Sequence, residues 1–286
     1  MKPAPFAYHR PASLGETFDL LDRYGDEGRL LAGGQSLVPA LNMRLATPHA
    51  VIDINRLPGL DGIRLAPEGL VIGALARHQA VERSPLVREH APLLALAMPH
   101  VGHEAIRTRG TVGGSLALAD PAAELPACAV ALDATIRVEG RRGQREVVAT
   151  DFFRGVYTTA LEPGELVTGL VVPAAAGWRA GFQELARRHG DFALAGLAAR
   201  TRVERDVVVE ARLVFFGVGA GPVRARGAEG ALAGRRAEGD AIAAARQALA
   251  GELDPPGDIH GSPALRRHLA GVLLARVVTQ VVDTRP

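Results

Sequence analysis

The N-terminal part of the chain alternates short apolar runs with stretches of helical spacing. Ser13 and Glu16 form a capping box ahead of apolar residues at Leu14, Phe18 and Leu21. The pattern predicts, in order, a strand at 6–9, a helix from residue 14, a strand at 30–32, a helix at 36–44 and a strand at 51–54. Because strands joined through a helix favour parallel pairing, we predict a small α/β domain over residues 1–57.

From residue 58 the pattern changes to that of an α+β domain. Two apolar runs separated by Pro67, Glu68 and Gly69 predict an antiparallel hairpin at 63–65 and 70–72. Helices are predicted at 78–82, 92–103 and 121–132, and strands at 135–139, 145–148 and 165–172. We assign this second domain to residues 58–176 and expect it to present a glycine loop towards the first domain.

The C-terminal part reads as an antiparallel sheet followed by helices. Strands are predicted at 178–185, 194–205 and 208–216, and helices at 238–253 and 262–282. The segment from Gly217 to Pro222 follows a strand, but it lacks G-x-G-x-x-G spacing and Pro222 offers no N–H. We therefore reject a Rossmann turn there and assign a third domain to residues 177–286.

Two paired-glycine segments stand out from this background. They are Ala32-Gly33-Gly34-Gln35-Ser36 and Thr111-Val112-Gly113-Gly114-Ser115. Glycine permits positive φ and lets backbone N–H groups approach a ligand closely, which suits a phosphate oxygen. Each pair alone is more often a plain turn, but two such loops are expected to hold a pyrophosphate from both sides.

Composition narrows the chemistry. The formal charge is only +2 and the basic residues are dispersed, so no nucleic-acid footprint is evident. Lys2 is the only lysine, which excludes a P-loop or a pyridoxal Schiff base. The single cysteine, Cys128, lies in an apolar run and excludes an iron–sulfur cluster held by this chain alone. His100 and His103 have helical spacing but lack an evident third ligand, so we assign no metal site.

No apolar run reaches the length of a membrane span, and the N-terminus lacks the pattern of a signal peptide. We therefore expect a cytoplasmic protein. No Ser-His-Asp order or convincing pair of buried carboxylates is found, so we assign no catalytic residue.

Four stretches together resemble the FAD-binding medium subunit of molybdenum hydroxylases, the group that includes carbon monoxide dehydrogenase and xanthine dehydrogenase. They are LAGGQSLVPALNMRL at 31–45, IGALARHQAVERS at 72–84, IRTRGTVGGSLALADPAAELPA at 106–127 and ARRHGDFALAG at 186–196. The resemblance implies an α+β fold of the PCMH/vanillyl-alcohol-oxidase FAD-binding type, in which a small α/β domain and a larger α+β domain precede a C-terminal domain of antiparallel sheet and helices.

The resemblance also implies which residues hold FAD. They are Leu31, Ala32, Gly33, Gly34, Gln35, Ser36, Leu37, Val101, Thr111, Val112, Gly113, Gly114, Ser115, Asp120, Glu124, Val167 and Glu184. Backbone N–H groups and the hydroxyls of Ser36 and Thr111 are expected to bind the pyrophosphate, Glu124 the ribose, and Val101 and Val167 the flavin. From the residues alone, Glu124 could equally be an ordinary first-turn acid, and Asp120 could simply cap a helix.

Some positions depart from the family pattern. Leu118 and Gln35 stand where relatives have histidine, and Glu184, or Gln183 in another alignment, stands where relatives place a lysine near the flavin. Positive charge near the ring favours the anionic reduced form, so loss of a cation there is expected to change the reduction potential of the flavin.

The function that the resemblance implies is electron transfer within a cytoplasmic complex, a heterohexamer built as a dimer of heterotrimers. A large subunit would hold the molybdenum cofactor, a small subunit would hold [2Fe-2S] clusters, and non-covalent FAD on this chain would pass electrons to NAD, oxygen or another acceptor. Two alternatives stay open: a self-sufficient flavin oxidase or dehydrogenase of the same wider fold, and a non-catalytic scaffold that has lost flavin.

Overall fold

The computed structural model describes residues 2–283, which form three main sheets, a separate two-stranded pair and helices packed around them. The N-terminal unit is a three-stranded sheet in the order β1-β3-β2, and both of its strand pairs are parallel. Its elements are β1 (Ala7–His9), α1 (Leu14–Tyr24), β2 (Gly28–Leu31), α2 (Leu37–Asn42) and β3 (Ala50–Asp53). The predicted parallel α/β unit is confirmed.

The N-terminus of α1 shows why the sequence forms a helix there. Ser13 is the N-cap, and its hydroxyl accepts a hydrogen bond from the Glu16 N–H. The carboxylate of Glu16 turns back and accepts from the Ala12 N–H at 2.8 Å. The first contact satisfies one of the donors that the helix N-terminus leaves unpaired, and the second fixes the segment that enters the helix.

The middle unit is a five-stranded antiparallel sheet in the order β4-β5-β10-β6-β7, with most of its helices between β5 and β6. Its elements are β4 (Ile63–Ala66), β5 (Gly69–Gly73), α3 (His78–Arg83), α4 (Pro85–His90), α5 (Pro92–Ala97), α6 (Glu104–Arg107), α7 (Val112–Leu118), α8 (Glu124–Ala131), β6 (Thr135–Gly140), β7 (Gly143–Val148), α9 (Ala149–Phe152), β8 (Phe153–Gly155), β9 (Thr158–Thr159) and β10 (Leu166–Val172). The short strands β8 and β9 pair only with each other.

Two predicted helices in this unit are shorter than expected. The helix expected at 92–103 ends at Ala97, because Pro99 enters a 3-10 turn at Met98–His100 and Gly102 adopts a positive φ of 55°. The helix expected at 121–132 begins only at Glu124. Before it, Asp120 accepts a side-chain hydrogen bond from the Ala122 N–H, which stabilises a turn in place of a helical start.

The C-terminal unit is an antiparallel sheet in the order β11-β12-β13-β14, with β15 also paired to β13. Its elements are β11 (Trp178–Leu185), β12 (Ala195–Glu204), β13 (Val207–Phe216), β14 (Val223–Arg224), α10 (Arg226–Leu232), β15 (Arg235–Arg236), α11 (Gly239–Ala250) and α12 (Pro263–Asp283). The strands and the two long helices fall where the sequence pattern predicts them.

The sheets are joined by shared apolar cores. The core of the middle unit includes Phe182, Ala198 and Phe216 from strands of the C-terminal sheet. The core of the N-terminal unit includes Leu75 and Leu166 from the middle unit. Because these side chains leave water only when the units meet, burial of apolar area holds the three sheets in one arrangement. None of the helices described here is both long and apolar enough to cross a membrane.

Candidate functional site

The first glycine segment forms a tight turn between β2 and α2, and its amide groups are free. Gly34 has a φ of 75°, which a side chain would disfavour. In the part of the chain that the structure describes, the backbone N–H groups of residues 33–36 donate no hydrogen bond, and the Ser36 hydroxyl makes no capping bond to α2. Successive amides in such a turn form an anion-binding concavity, and the positive end of α2 adds to it.

The second glycine segment is not the loop that was expected. Thr111 is the N-cap of α7, and its hydroxyl accepts from the Gly114 N–H at 3.1 Å. Neither Gly113 nor Gly114 has a positive φ, so conformational freedom is not the reason for these glycines. The segment was expected to be a loop, but only Thr111 precedes the helix, because residues 112–118 are helical.

The amides of this second segment are also largely occupied within the protein. The Val112 N–H donates to the carbonyl of Ala76 at 3.0 Å, and the Gly113 N–H donates to that of Ala74 at 2.7 Å. The Gly114 and Ser115 N–H groups both donate to Thr111, to its hydroxyl and its carbonyl. Donors for a phosphate therefore come chiefly from residues 33–36, whereas α7 contributes the N-terminal end of a short helix.

Close packing explains the glycines better than turn geometry does. A Cβ on Gly113 would lie 2.5 Å from the Ala74 Cβ, and a Cβ on Gly33 would lie 2.5 Å from the Arg109 carbonyl oxygen. A Cβ on Gly114 would lie 2.7 Å from the Thr111 hydroxyl and 4.0 Å from the Ala32 Cβ. The two segments thus face each other across a narrow gap, as the sequence predicted. We call residues 33–36 together with residues 111–115 the cradle.

Arg77 and Arg109 lie beside the cradle, and neither has a carboxylate in ion-pair contact. Arg77 donates to the carbonyl of Arg109 and to the Asn55 side chain, and no described carboxylate lies within 4 Å of either arginine's charged nitrogens. Burial lowers the pKa of Arg77, and the charge of Arg109 lowers it further. A bound anion would reduce this repulsion, so the local charge favours a phosphate.

His78 lies beneath the second segment, with 5% of its surface exposed. A Cβ on Gly110 would lie 2.8 Å from its Nδ1, and its backbone N–H donates to the Gly110 carbonyl. Burial lowers the pKa of His78 to about 4, and the charges of Arg107 and Arg77 act in the same direction. The imidazole is therefore neutral at pH 7 and supports the segment by packing.

A buried acidic group lies at the other end of α7. The Glu184 side chain is only 5% exposed, its Oε1 lies 3.6 Å from the His100 Nδ1, and no described group bonds to its Oε2. Glu124 begins α8, and burial followed by the charge of Glu184 raises its pKa to about 8. Glu124 is therefore largely protonated at pH 7 and can both donate and accept a hydrogen bond.

Of the remaining predicted residues, two are buried valines and one is a hydrogen-bonded aspartate. Val101 and Val167 are buried in the core of the middle unit. Asp120 accepts from the Tyr157 hydroxyl at 3.1 Å, in addition to its turn contact with Ala122. Its carboxylate thus stabilises a turn and holds an exposed tyrosine, and it does not cap α8.

An open cleft of about 1050 Å³ adjoins this acidic end and reaches into the C-terminal unit. Its wall includes Asp120, Tyr157, Arg188 and Phe192. Phe192 is 72% exposed and Tyr157 59%, which is high for aromatic side chains. The sequence analysis did not identify these two aromatics, since an isolated Phe or Tyr carries no spacing signal. It also missed Asn55, which follows β3 by two residues, and Arg77, which lies in the stretch 72–84 but was given no role.

Cys128 is fully buried in α8, as expected, and burial raises the pKa of its thiol well above the usual range. Among residues 2–283, no group of three His, Cys, Asp or Glu side chains is arranged to hold a metal ion. His100 instead contacts Glu184 and the ring of Phe182.

Known families account for nearly the whole chain. Residues 4–175 match the FAD binding domain in molybdopterin dehydrogenase, and residues 180–281 match the CO dehydrogenase flavoprotein C-terminal domain. The chain therefore belongs to the family of FAD-binding medium subunits of molybdenum hydroxylases and is an oxidoreductase subunit. The predicted family and fold class are confirmed.

Individual proteins of this family are similar to the chain over almost its whole length. The chain is 37% identical to the 6-hydroxypseudooxynicotine dehydrogenase complex subunit alpha of Paenarthrobacter nicotinovorans, covering 99% of this chain and 96% of that one. It is 38% identical to a chain in the structure of carbon monoxide dehydrogenase from Hydrogenophaga pseudoflava, with a TM-score of 0.95 and 98% of each chain covered. Quinoline 2-oxidoreductase from Pseudomonas putida 86 gives a TM-score of 0.94 at 37% identity, with 99% of each chain covered.

Proposed function

We propose that this chain binds FAD non-covalently across the cradle and α7, and that it passes electrons from an iron–sulfur partner to an acceptor. The observation that carries the proposal is the turn at residues 33–36, where four successive amides have no acceptor in the described structure. An anionic diphosphate suits this turn, because unbonded N–H groups can donate to its oxygens and Gly34 allows the positive φ of 75° that the turn adopts. Hydrogen bonds to a charged acceptor contribute roughly 1.5–3 kcal/mol each, so a few suffice for micromolar binding.

The geometry also favours an elongated ligand. The cradle and the group of Asp120, Glu124 and Glu184 lie at opposite ends of α7, whose seven residues span about 10 Å. We propose that the diphosphate binds at the cradle, that Glu124 exchanges hydrogen bonds with a sugar hydroxyl, and that Val101 and Val167 exclude water from the apolar part. The other predicted members of the two segments, Leu31, Ala32, Gln35, Leu37 and Val112, shape the walls.

When bound, FAD supplies the group that takes up electrons from one centre and releases them to another. The chain itself binds this group, orients it and sets the charge around it. Glu184 brings a buried carboxylate to a position where relatives place lysine, which disfavours negative charge on the reduced ring. Glu124 keeps its proton at pH 7, so it adds no second negative charge.

The partners are proposed from the relatives. Several are named as medium chains or as one subunit of a complex, which favours a large molybdenum subunit and a small [2Fe-2S] subunit as partners. The single buried cysteine of this chain supports that division, because a [2Fe-2S] cluster held by cysteine thiolates needs four of them. We propose a dimer of heterotrimers that delivers electrons to NAD, oxygen or another acceptor.

The domain boundaries stay a proposal as well. The predicted division at 176/177 falls between the two matched regions, which end at 175 and begin at 180. The predicted division at 57/58 falls between β3 and β4, where the parallel sheet gives way to the antiparallel one. Expression of residues 58–176 alone tests independence; we expect it to be poorly folded, because its core includes side chains from the third unit.

Purification and reconstitution test the electron-transfer role. The purified chain should be yellow with a flavin spectrum, should not oxidise an N-heterocycle, aldehyde or carbon monoxide by itself, and should pass electrons when assembled with the two partner subunits. Reduction of its FAD by such a donor without partners would instead support a self-sufficient flavin oxidase. A folded chain that binds no added FAD would support a scaffold that has lost flavin.

A further inference from the structure

The two halves of the cradle have no direct backbone connection. Among residues 2–283, no backbone hydrogen bond joins residues 31–37 to residues 109–115. The second half is fixed to the middle unit through the amides of Val112 and Gly113, whereas the first half belongs to the parallel sheet. The two backbones meet where Gly33 packs against the Arg109 carbonyl, and the hydrogen bonds that hold them at this contact come from side chains.

Asn55 and Arg77 bridge this gap in one continuous chain of hydrogen bonds. The Asn55 Nδ2 donates to the Ala32 carbonyl at 2.8 Å, and its Oδ1 accepts from the Arg77 Nη2 at 2.7 Å. The Arg77 Nη1 donates to the carbonyl of Arg109. The bridge thus runs from the carbonyl just before Gly33 to the carbonyl just before Gly110, and a Cβ on Gly33 would lie 2.5 Å from that same Arg109 oxygen.

The Asn55 side chain is itself held in one orientation. Asp53 accepts from both the Asn55 backbone N–H at 3.0 Å and its Nδ2 at 2.6 Å. The other Asp53 oxygen accepts from the Tyr8 hydroxyl. With its amide nitrogen aimed at Ala32 and Asp53, Asn55 can present only its oxygen to Arg77, and the planar guanidinium can bond two oxygens at once.

We propose that Asn55 and Arg77 are positioning residues that set the distance between the two halves of the cradle and thereby the affinity for the cofactor. This inference rests on the proposed function, because it assumes that the cradle holds the diphosphate of FAD. Neither residue needs to contact the cofactor. Each acts through a carbonyl, by holding residues 33–36 and α7 at the separation that the diphosphate requires.

The test is a double-mutant cycle on FAD binding, with Asn55→Ala, Arg77→Gln and the two combined. Affinity is measured by flavin fluorescence on the full-length apoprotein, and the melting temperature of the same apoprotein is recorded. We expect each single variant to weaken FAD binding at least about tenfold, because one bridge is broken in both cases. The double variant should lose little more than either single variant, since coupled groups are not additive. Arg77→Lys keeps the positive charge and can still donate to one of the two oxygens that Arg77 bonds, so it should recover part of the lost FAD affinity.

Arg145→Gln is the matched control. Like Arg77, Arg145 is partly buried and donates to a backbone carbonyl, that of Ala160, as well as to a side chain, that of Glu165. Its loss should lower the melting temperature and leave the affinity for FAD unchanged. If Arg77→Gln fails to fold, the double-mutant cycle is measured with Asn55→Ser and Arg77→Lys instead.

Three results would overturn the inference: unchanged FAD affinity in both single variants, losses that multiply in the double variant, or an equal loss of affinity in Arg145→Gln. Gly114→Ala separates this failure from failure of the proposed function. If Gly114→Ala weakens FAD binding and the Asn55 and Arg77 variants do not, only the positioning role is lost. If FAD binding survives all of them, the assignment of the cradle itself is wrong.

Discussion

The protonated carboxyl of Glu124 makes the stability of the protein depend on pH in a direction unusual for an acid. Burial and then the charge of Glu184 raise its pKa to about 8, whereas its ordinary value is 4.5. The folded state therefore binds a proton that the unfolded state has already released at neutral pH. Because the unfolded state binds fewer protons, the free energy of unfolding falls as pH rises from about 4.5 to about 8.

His78 acts in the opposite direction over a lower range. Its pKa is lowered from 6.5 to about 4, so its contribution to stability is present above pH 6.5 and is lost as pH falls towards 4. The two effects oppose each other between pH 4.5 and 6.5, and Glu124 acts without His78 between pH 6.5 and 8. At about 1.4 kcal/mol per pKa unit, the loss attributable to Glu124 over that upper window is roughly 1.5–2 kcal/mol.

Urea unfolding of the apoprotein at pH 6.5, 7.25 and 8, followed by circular dichroism, measures this loss. Glu124→Gln keeps the shape of the side chain and cannot ionise. The difference in the free energy of unfolding between wild type and variant should therefore change by roughly 1.5–2 kcal/mol between pH 6.5 and pH 8. Glu184→Gln should lower the pKa of Glu124 and reduce the pH dependence. Glu146→Gln, on the exposed face of β7, is the control and should keep the wild-type dependence. A Glu124→Gln protein with the full wild-type dependence would refute the assignment of a proton to this carboxyl.

Three further predictions address the cradle and the flavin. Gly114→Ala should weaken FAD binding at least about tenfold, because the added methyl group displaces the Thr111 hydroxyl and closes the gap to Ala32. Gly230→Ala is the control, because Gly230 lies on α10 with open space around its Cβ position. It should leave FAD binding unchanged and stabilise the protein by up to about 1 kcal/mol. A flavin titration and a thermal melt decide both. Acid precipitation should release all of the flavin into the supernatant, since the only cysteine is buried; yellow pellets would contradict non-covalent binding. Glu184→Lys should raise the midpoint potential of bound FAD, measured by dye equilibration, and an unchanged or lower potential would place Glu184 away from the ring.

Much of the fold was accessible from sequence because local signals agreed with the tertiary arrangement. The strands of the C-terminal sheet alternate clearly, and β11 has the bounds that were predicted, Trp178–Leu185. The errors occur where a local contact overrides the periodic pattern. Pro99 stops α5 early, and the Asp120 side chain stabilises a turn where a helix was expected to begin.

The function of the glycines was harder to predict than their position. A Gly-Gly pair signals either positive φ or close approach, and the sequence does not distinguish the two. At Gly34 the first reason holds, with a φ of 75°, whereas at Gly113 the second holds, because Ala74 packs directly against it. Only the tertiary contact shows that residues 111–115 begin a helix whose first amides are already bonded.

Long-range polar contacts explain why the bridge, and the proximity of Glu124 to Glu184, could not be predicted from the sequence. Asn55 and Arg77 are 22 residues apart, and although Arg77 lies in the stretch 72–84, nothing in the sequence relates it to Asn55. Glu124 and Glu184 come from the start of a helix and from a strand of another sheet, and they influence each other only because the middle and C-terminal units share a core. Arrangements of this kind depend on where sheets meet, which periodicity does not encode.

The position of α7 relates these observations to one another. Its first turn contacts Ala74 and Ala76 and faces Ala32, while its C-terminal end leads through Ala119 and Asp120 into α8 and Glu124. A ligand that followed this helix would pass from the unbonded amides of residues 33–36, beside two arginines without a carboxylate partner, to the protonated carboxyl of Glu124. The first surroundings favour a diphosphate and the second favour a largely uncharged ring with a few hydroxyls. Since residues 33–36 follow a strand of the N-terminal sheet and Glu184 lies in the C-terminal sheet, a molecule that reaches both should also stabilise the contact between the units, and FAD binding is expected to raise the melting temperature of the whole chain rather than of one unit.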